Sequence, residues 1–410
     1  MKTLHVNINK IGIVSLFLAA LSTLSPFATD SYLAAMPDMA TYFGISIHVV
    51  ELTVTLYFLG FAVGNFFGGP LSDAFGRKYI AMLGVVLYGL SALSIPFCSS
   101  IDLILLLRFT QAFGGGFATV TSNLFIKDWY KEEQVARLIT ITSMITMLAP
   151  LIAPILGSVL IHYGNWTTVF YFMALFALVL FTSFSLCIPE SRKPEYITKK
   201  ITLNQFFEKY KLFFLDKTSV LLLLAVSLSF SGLFVFITSA SFIYLEYFKV
   251  KASYFSIFFG ANIVLNIIFS FSNTFLLKRY HAQTLLQTGL IIQCIAGFLL
   301  YLIVQFNMAN LWNVFVLIVL FIGSLGLIFG NGAALILGLR PELSGSANAA
   351  IGITRFLLGF ALGTLIALFH TNDLMPIAIA MFGCTLSANV FFIWYKTAHN
   401  KALRLKFSEK

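Results

Sequence analysis

Long apolar runs broken by short polar intervals dominate the chain. Twelve can be read, at about 11–36, 47–69, 79–97, 102–126, 138–161 and 167–188, then 218–245, 253–277, 283–305, 311–338, 346–369 and 373–395. Each is near the ~20 residues that a helix needs to cross a bilayer. One longer polar stretch, 189–217, divides the runs six and six. The expected organisation is therefore an N-terminal six-helix bundle over 1–188, a linker over 189–217 and a second six-helix bundle over 218–410. Within the linker, Asn204–Tyr210 could form a short interfacial helix, but plain connector is the preferred reading. The first run follows Lys2 and Lys10 but is too long for a signal-peptide core, and no small-residue cleavage site closes it, so it reads as a span.

Charge gives the orientation. Of the 26 lysines and arginines, only Lys249 and Lys251 fall in alternate loops, and only Arg108 and Arg355 fall within apolar runs. All others share the side of the two chain ends. By the positive-inside rule that side is the cytoplasm, so both termini are expected there and the net charge of +10 is a topology signal. It needs no nucleic acid to explain it.

Composition excludes a soluble enzyme. Charged residues make up 10% of the chain, against about 25% in soluble domains, and the 45 phenylalanines suit a lipid-facing surface. Four scattered cysteines form no CxxC pair, so neither a disulfide framework nor a metal site is expected. Shifting the chain by 205 residues sets Leu71–Phe75 against Leu276–Tyr280 and Gly84 against Gly289. That weak internal repeat fits two parallel six-span halves.

Four motifs carry more. Gly69-Pro70-Leu71-Ser72-Asp73-Ala74-Phe75-Gly76-Arg77-Lys78 lies between the second and third runs. It resembles the major facilitator loop signature G-x-L-x-D-R-x-G-R-K, with Ala74 where that family usually has arginine. Thr29-Asp30-Ser31-Tyr32-Leu33-Ala34-Ala35-Met36-Pro37 resembles the first-helix motif of the Bcr/CflA drug:proton antiporters. Leu107–Gly115, with Arg108 and Gln111, resembles their fourth-span pattern. Ala149–Gly157, with Pro150, Pro154 and Gly157, resembles the proline-glycine antiporter motif, followed by Trp166 and Phe170. The likeness is dense over 20–175 and thin afterwards. It implies an all-α major facilitator fold of twelve transmembrane helices in two six-helix bundles.

The resemblance also assigns roles. Asp30 and Arg108 are expected to couple protons, and Tyr32, Gln111 and Asn123 to line a substrate cavity, which Arg355 joins on its own depth in the eleventh span, a structural pairing with backbone carbonyls being the alternative. Gly69, Asp73, Gly76, Arg77, Lys78 and Asp128 are expected to gate the cytoplasmic mouth, the glycines through close helix approach and a tight turn. Pro150, Pro154 and Gly157 should loosen and pack the fifth span. The missing arginine at position 74 implies a missing latch contact.

Physical chemistry supports part of this independently. Asp30 is the one acidic residue read well inside a span, where an unpaired charge costs ~2.5–3.5 kcal/mol on insertion scales. Burial disfavours a carboxylate's charged form, as a proton carrier requires. A snorkelling aspartate at the helix end is the alternative. Related antiporters can carry a second carboxylate two turns earlier, where this chain has Ser22. Arg108 keeps its charge and must find an anion, backbone carbonyls or the surface. Glu51 reads as interfacial at the entry of the second span, and Asp128 reads as a solvated loop charge unless it pairs with Arg77. Nothing in the antiporter motifs calls for Arg355.

The expected function is thus secondary active transport, with protons as coupling ion and no cofactor. The substrate would be a drug or other amphipathic small molecule, exported across a bacterial-type inner membrane by a monomer in lipid. A carrier of one anionic metabolite, such as a carboxylate siderophore, is the alternative, motivated by Arg108 and Arg355 outnumbering Asp30. A membrane enzyme or receptor lacks any HExxH, Walker A or Cys/His spacing to support it.

Overall fold

Helices account for nearly all of the described backbone. The structure, a computed structural model, describes residues 11–130, 132–192, 197, 203–340, 343–369 and 373–408. Part of the expected linker and both chain ends lie outside the described residues. The elements are α1 (Ile11–Asp30), α2 (Met36–Phe43), α3 (Ile47–Phe75), α4 (Arg77–Ser94), α5 (Ile101–Trp129), α6 (Glu132–Tyr163) and α7 (Trp166–Cys187). There follow α8 (Leu203–Leu215), α9 (Lys217–Ser241), α10 (Ala252–Leu276), α11 (Ala282–Gln305), α12 (Leu311–Gly323), α13 (Leu325–Leu339), α14 (Ser344–Leu368) and α15 (Met375–Ser408).

Ten helical segments among the described residues are long and apolar enough to cross a membrane. Together with α1 and α6 they account for the twelve expected runs, with α12 and α13 sharing the tenth. The first run proves shorter than expected. Its helix stops at Asp30, the chain turns through Leu33–Ala35, and α2 begins at Met36. A second correction concerns the linker, where α8 forms a helix in place of plain connector. Its Tyr210 and Phe213 are buried.

Helix starts are set by local chemistry. Asp216 accepts from the Ser219 amide at 3.0 Å to cap α9, and Asn165 and Asn310 form capping boxes at α7 and α12. Each side chain satisfies an amide that the first turn leaves without an intrahelical partner.

The chain forms two compact units, residues 1–203 with 250–257, and residues 204–249 with 258–410. In the first, α1 packs on α5 and α6, and α4 packs on α5 and α7. In the second, α9 packs on α13 and α14, and α11 packs on α12, α13 and α15. The same scheme, with the first span against the fourth and fifth and the third against the fourth and sixth, recurs in both units.

Candidate functional site

The site in the first unit is built around the end of α1. Asp30 is its last residue and is 3% exposed. Its carboxylate accepts a hydrogen bond from the Thr29 hydroxyl at 2.8 Å. No basic group lies within ion-pair distance of it among the described residues. It is therefore neither snorkelling nor paired with Arg108. A helix C-terminus carries roughly half a negative charge, so a bare carboxylate at this place is opposed by its own helix as well as by burial.

Arg108 comes from the interior of α5 and is fully buried. One terminal nitrogen donates to Gln111 Oε1 at 2.8 Å, and the other donates to the Ala28 carbonyl at 2.9 Å. Ala28 belongs to the last turn of α1, where carbonyls lack helical donors. The guanidinium thus grips the same helix end that carries Asp30. Its faces are covered by Tyr32 at 4.6 Å, Tyr57 at 4.7 Å and Phe170 at 5.9 Å, and only its Nε lacks an acceptor. Such a charge is held in place by hydrogen bonds and ring faces.

Two further motif residues converge on this turn. Tyr32 is fully buried, stacks beneath Arg108 and points its hydroxyl at Thr53. Gly157 lets the backbone of α6 pass directly against Ser31, whose carbonyl occupies the space a Cβ would need. The first-helix, fourth-span and antiporter motifs therefore meet on residues 28–32. Helix α6 runs unbroken through Pro150 and Pro154.

The remaining expected residues lie elsewhere. Gln111 is buried and spends its amide on Arg108 and on Met173 Sδ at 3.5 Å. Asn123 is exposed on α5. Arg355 belongs to the second unit. Among the described residues it makes no hydrogen bond or ion pair, and its guanidinium lies over Phe230, Phe329 and Phe356.

The α3–α4 loop forms a charged knot. Arg77, buried at 4% exposure, bonds Asp73 at 2.7 Å, Asp128 at 3.0 Å and the Ser72 hydroxyl at 2.8 Å. Asp128 is thus an ion-pair partner of Arg77. Glu190 accepts from the Arg77 and Lys78 amides at 3.0 and 2.9 Å, capping α4 from the start of the linker. Lys78 Nζ reaches the Ser185 carbonyl at 2.7 Å. Position 74 offers no latch contact, as expected, but Asp73 takes a second arginine from elsewhere. Arg192 bonds Asp73 at 3.0 Å. Gly76 adopts φ +102°, and a Cβ there would meet the Glu190 carboxylate at 2.7 Å, so the turn requires glycine. Gly69 has open space around it and permits no close approach, contrary to expectation.

Two features escaped the sequence reading. Gly60, Gly64 and Gly68, at four-residue spacing, let α3 sit against the backbone and side chains of α5, as small-xxx-small spacing could have signalled. Glu51 is buried at 1% exposure and pairs with His48 at 3.0 Å, which corrects its placement at the interface. Helix α2 packs on α3.

Known proteins give the same answer as the motifs. The Major Facilitator Superfamily profile matches residues 18–397. The chain belongs to this family. It is a multi-pass membrane transporter for a small molecule, and the Bcr/CflA likeness is borne out by a relative. The bicyclomycin resistance protein homolog of Haemophilus influenzae is 32% identical over 385 residues, 94% of this chain and 96% of that one. The multidrug resistance protein MdtL of Klebsiella pneumoniae is 25% identical over 374 residues, 88% and 91% of the two chains. Among solved structures, the xylose transporter XylE from E. coli superposes with a TM-score of 0.72 at 16% identity, covering 94% of this transporter and 97% of that chain. This last likeness speaks for the fold alone.

Proposed function

We propose that this transporter exports drugs or other amphipathic small molecules in exchange for protons, by alternating access across a bacterial inner membrane, with both chain ends in the cytoplasm. The observation that carries the reading is the buried Asp30 carboxyl, without a cation partner among the described residues, at the end of the helix that Arg108 grips. Gain or loss of one proton there changes the charge facing a fixed guanidinium network. A helix end with two charge states is a means of turning proton binding into movement. The resistance proteins among the relatives favour drugs as the cargo, and the basic loops favour the orientation. One proton moving down a membrane potential supplies roughly 2.3 kcal/mol per 100 mV, enough to concentrate a substrate many-fold.

Everted vesicles with an imposed pH gradient test this. Several unrelated lipophilic dyes should move uphill and stop when a protonophore collapses the gradient. Movement of a single compound, indifferent to the gradient, would refute the reading. Reporter fusions after Lys410 or within 193–202 should be active only if cytoplasmic.

A further inference from the structure

The second unit holds a charged group that its own fold leaves without an acceptor. Arg355 sits mid-way along α14, and its guanidinium carbon lies 4.9, 5.1 and 5.0 Å from the ring centres of Phe230, Phe329 and Phe356. The rings come from three different helices, α9, α13 and α14. They brace one another, Phe230 lying 5.2 Å from Phe329 and Phe234 lying 4.8 Å from Phe356. Gly359 contributes by leaving the space that Phe234 fills, since a Cβ there would meet the ring at 2.6 Å.

Ring faces stabilise a guanidinium through its flat sides, but its five N–H donors radiate from the edge. Those edges find nothing. Arg355 pairs with no carboxylate and donates to no other oxygen among the described residues, and its Nε is buried without a partner. Some uncharged hydroxyls of this unit, such as those of Ser227 and Ser239, also lack a partner among the described residues, whereas several of its buried amides are satisfied within it. Gln293 bonds Ser229 and the Phe321 carbonyl, and Asn273 bonds Asn331. The residue itself is half-buried, so one side stays open. Space beside it is also clear. A Cβ on Gly352, one turn earlier on α14, or on Gly330, next to Phe329, would meet no atom within 4 Å.

We propose that this aromatic-walled guanidinium is a subsite for an oxyanion carried on a flat apolar body, foremost an aromatic carboxylate. The edge donors would take the carboxylate in the forked geometry that arginine favours, and the phenylalanine rings would take the apolar part. This rests on the exporter reading and narrows its cargo to compounds with an anionic or zwitterionic head. An anionic lipid phosphate offers similar chemistry, and the test separates the two.

The test is equilibrium binding to the purified full chain in neutral phosphatidylcholine nanodiscs, with no gradient. The probes are 2-naphthoate and its cationic match, 2-naphthylmethylammonium. The wild type should prefer naphthoate. Arg355→Gln should weaken naphthoate by roughly tenfold or more and change the amine less than about twofold. Gly352→Leu, which keeps the arginine and fills the space beside it, should weaken naphthoate as well, and it serves if Arg355→Gln fails to insert. Equal affinity of wild type and both variants for naphthoate would overturn the proposal, as would equal loss for both probes. Loss of wild-type naphthoate binding when phosphatidylglycerol replaces the neutral lipid would reassign the subsite to lipid and overturn it. Because no gradient is present, a transporter that binds naphthoate through Arg355 but never pumps it would sink the exporter reading and leave the subsite standing.

Discussion

Two guanidiniums carried within spans, Arg108 in the first unit and Arg355 in the second, are treated in opposite ways. Arg108 has its donors committed to Gln111 and to the Ala28 carbonyl, and aromatic rings cover its faces. Arg355 has the rings without the acceptors. The first charge is part of the fold, and the second is available to a visitor. The neighbours follow suit. The first unit buries Asp30, Glu51, His48 and Arg77, whereas the buried polar groups of the second are amides and hydroxyls such as Gln293, Asn331 and Thr385. What decides a charge's role is whether its hydrogen bonds close within the protein, and depth in the membrane alone does not show that.

The comparison breaks most readily at stability. Arg108→Gln should leave the Ala28 carbonyl without its donor and empty the space between Tyr32 and Tyr57, costing about 3–5 kcal/mol. Thermal denaturation in detergent should show a large fall in Tm or loss of inserted protein. Arg355→Gln should shift Tm little. Equal falls would mean that both arginines are structural.

Gly157 sharpens the picture of the first unit. Gly157→Val drives a side chain into the Ser31 carbonyl and should cost about 1–3 kcal/mol. Uphill transport should be lost together with that stability. A fully active, stable variant would show that the α6 approach to residues 28–32 is not needed.

The smallest effect belongs to the loop knot. Asp73 is half exposed, and exposed ion pairs contribute about 0–1 kcal/mol. Asp73→Asn should therefore slow turnover with little change in Tm or substrate affinity. Markedly weaker binding at normal turnover would contradict its place in the loop.

Much of this was legible in the chain. The twelve runs and the polar divide placed the spans, because length and hydropathy dictate them, while helix ends went further astray, most of all at α15, which continues to Ser408 where the run was read to 395. The motifs located Asp30, Arg108 and Gly157, though not that they converge on five consecutive residues. Three failures have identifiable causes. Glu51 looked interfacial because it lies one turn into the second run, whereas it is buried beside His48. The second arginine on Asp73, Arg192, went unforeseen because it is far away in sequence. Gly69 looked like a packing residue when Gly60, Gly64 and Gly68 do that work, a four-residue spacing that was legible in the chain but passed over for the loop motif.

The central claim is that Asp30 carries the proton, and Asp30→Asn tests it most directly. The amide keeps the shape and the Thr29 contact but cannot release a proton. In proteoliposomes the variant should still exchange labelled for unlabelled substrate at equal concentrations, and it should no longer accumulate substrate against a gradient when a pH difference is imposed. Uphill transport by Asp30→Asn with unchanged pH dependence would contradict the account.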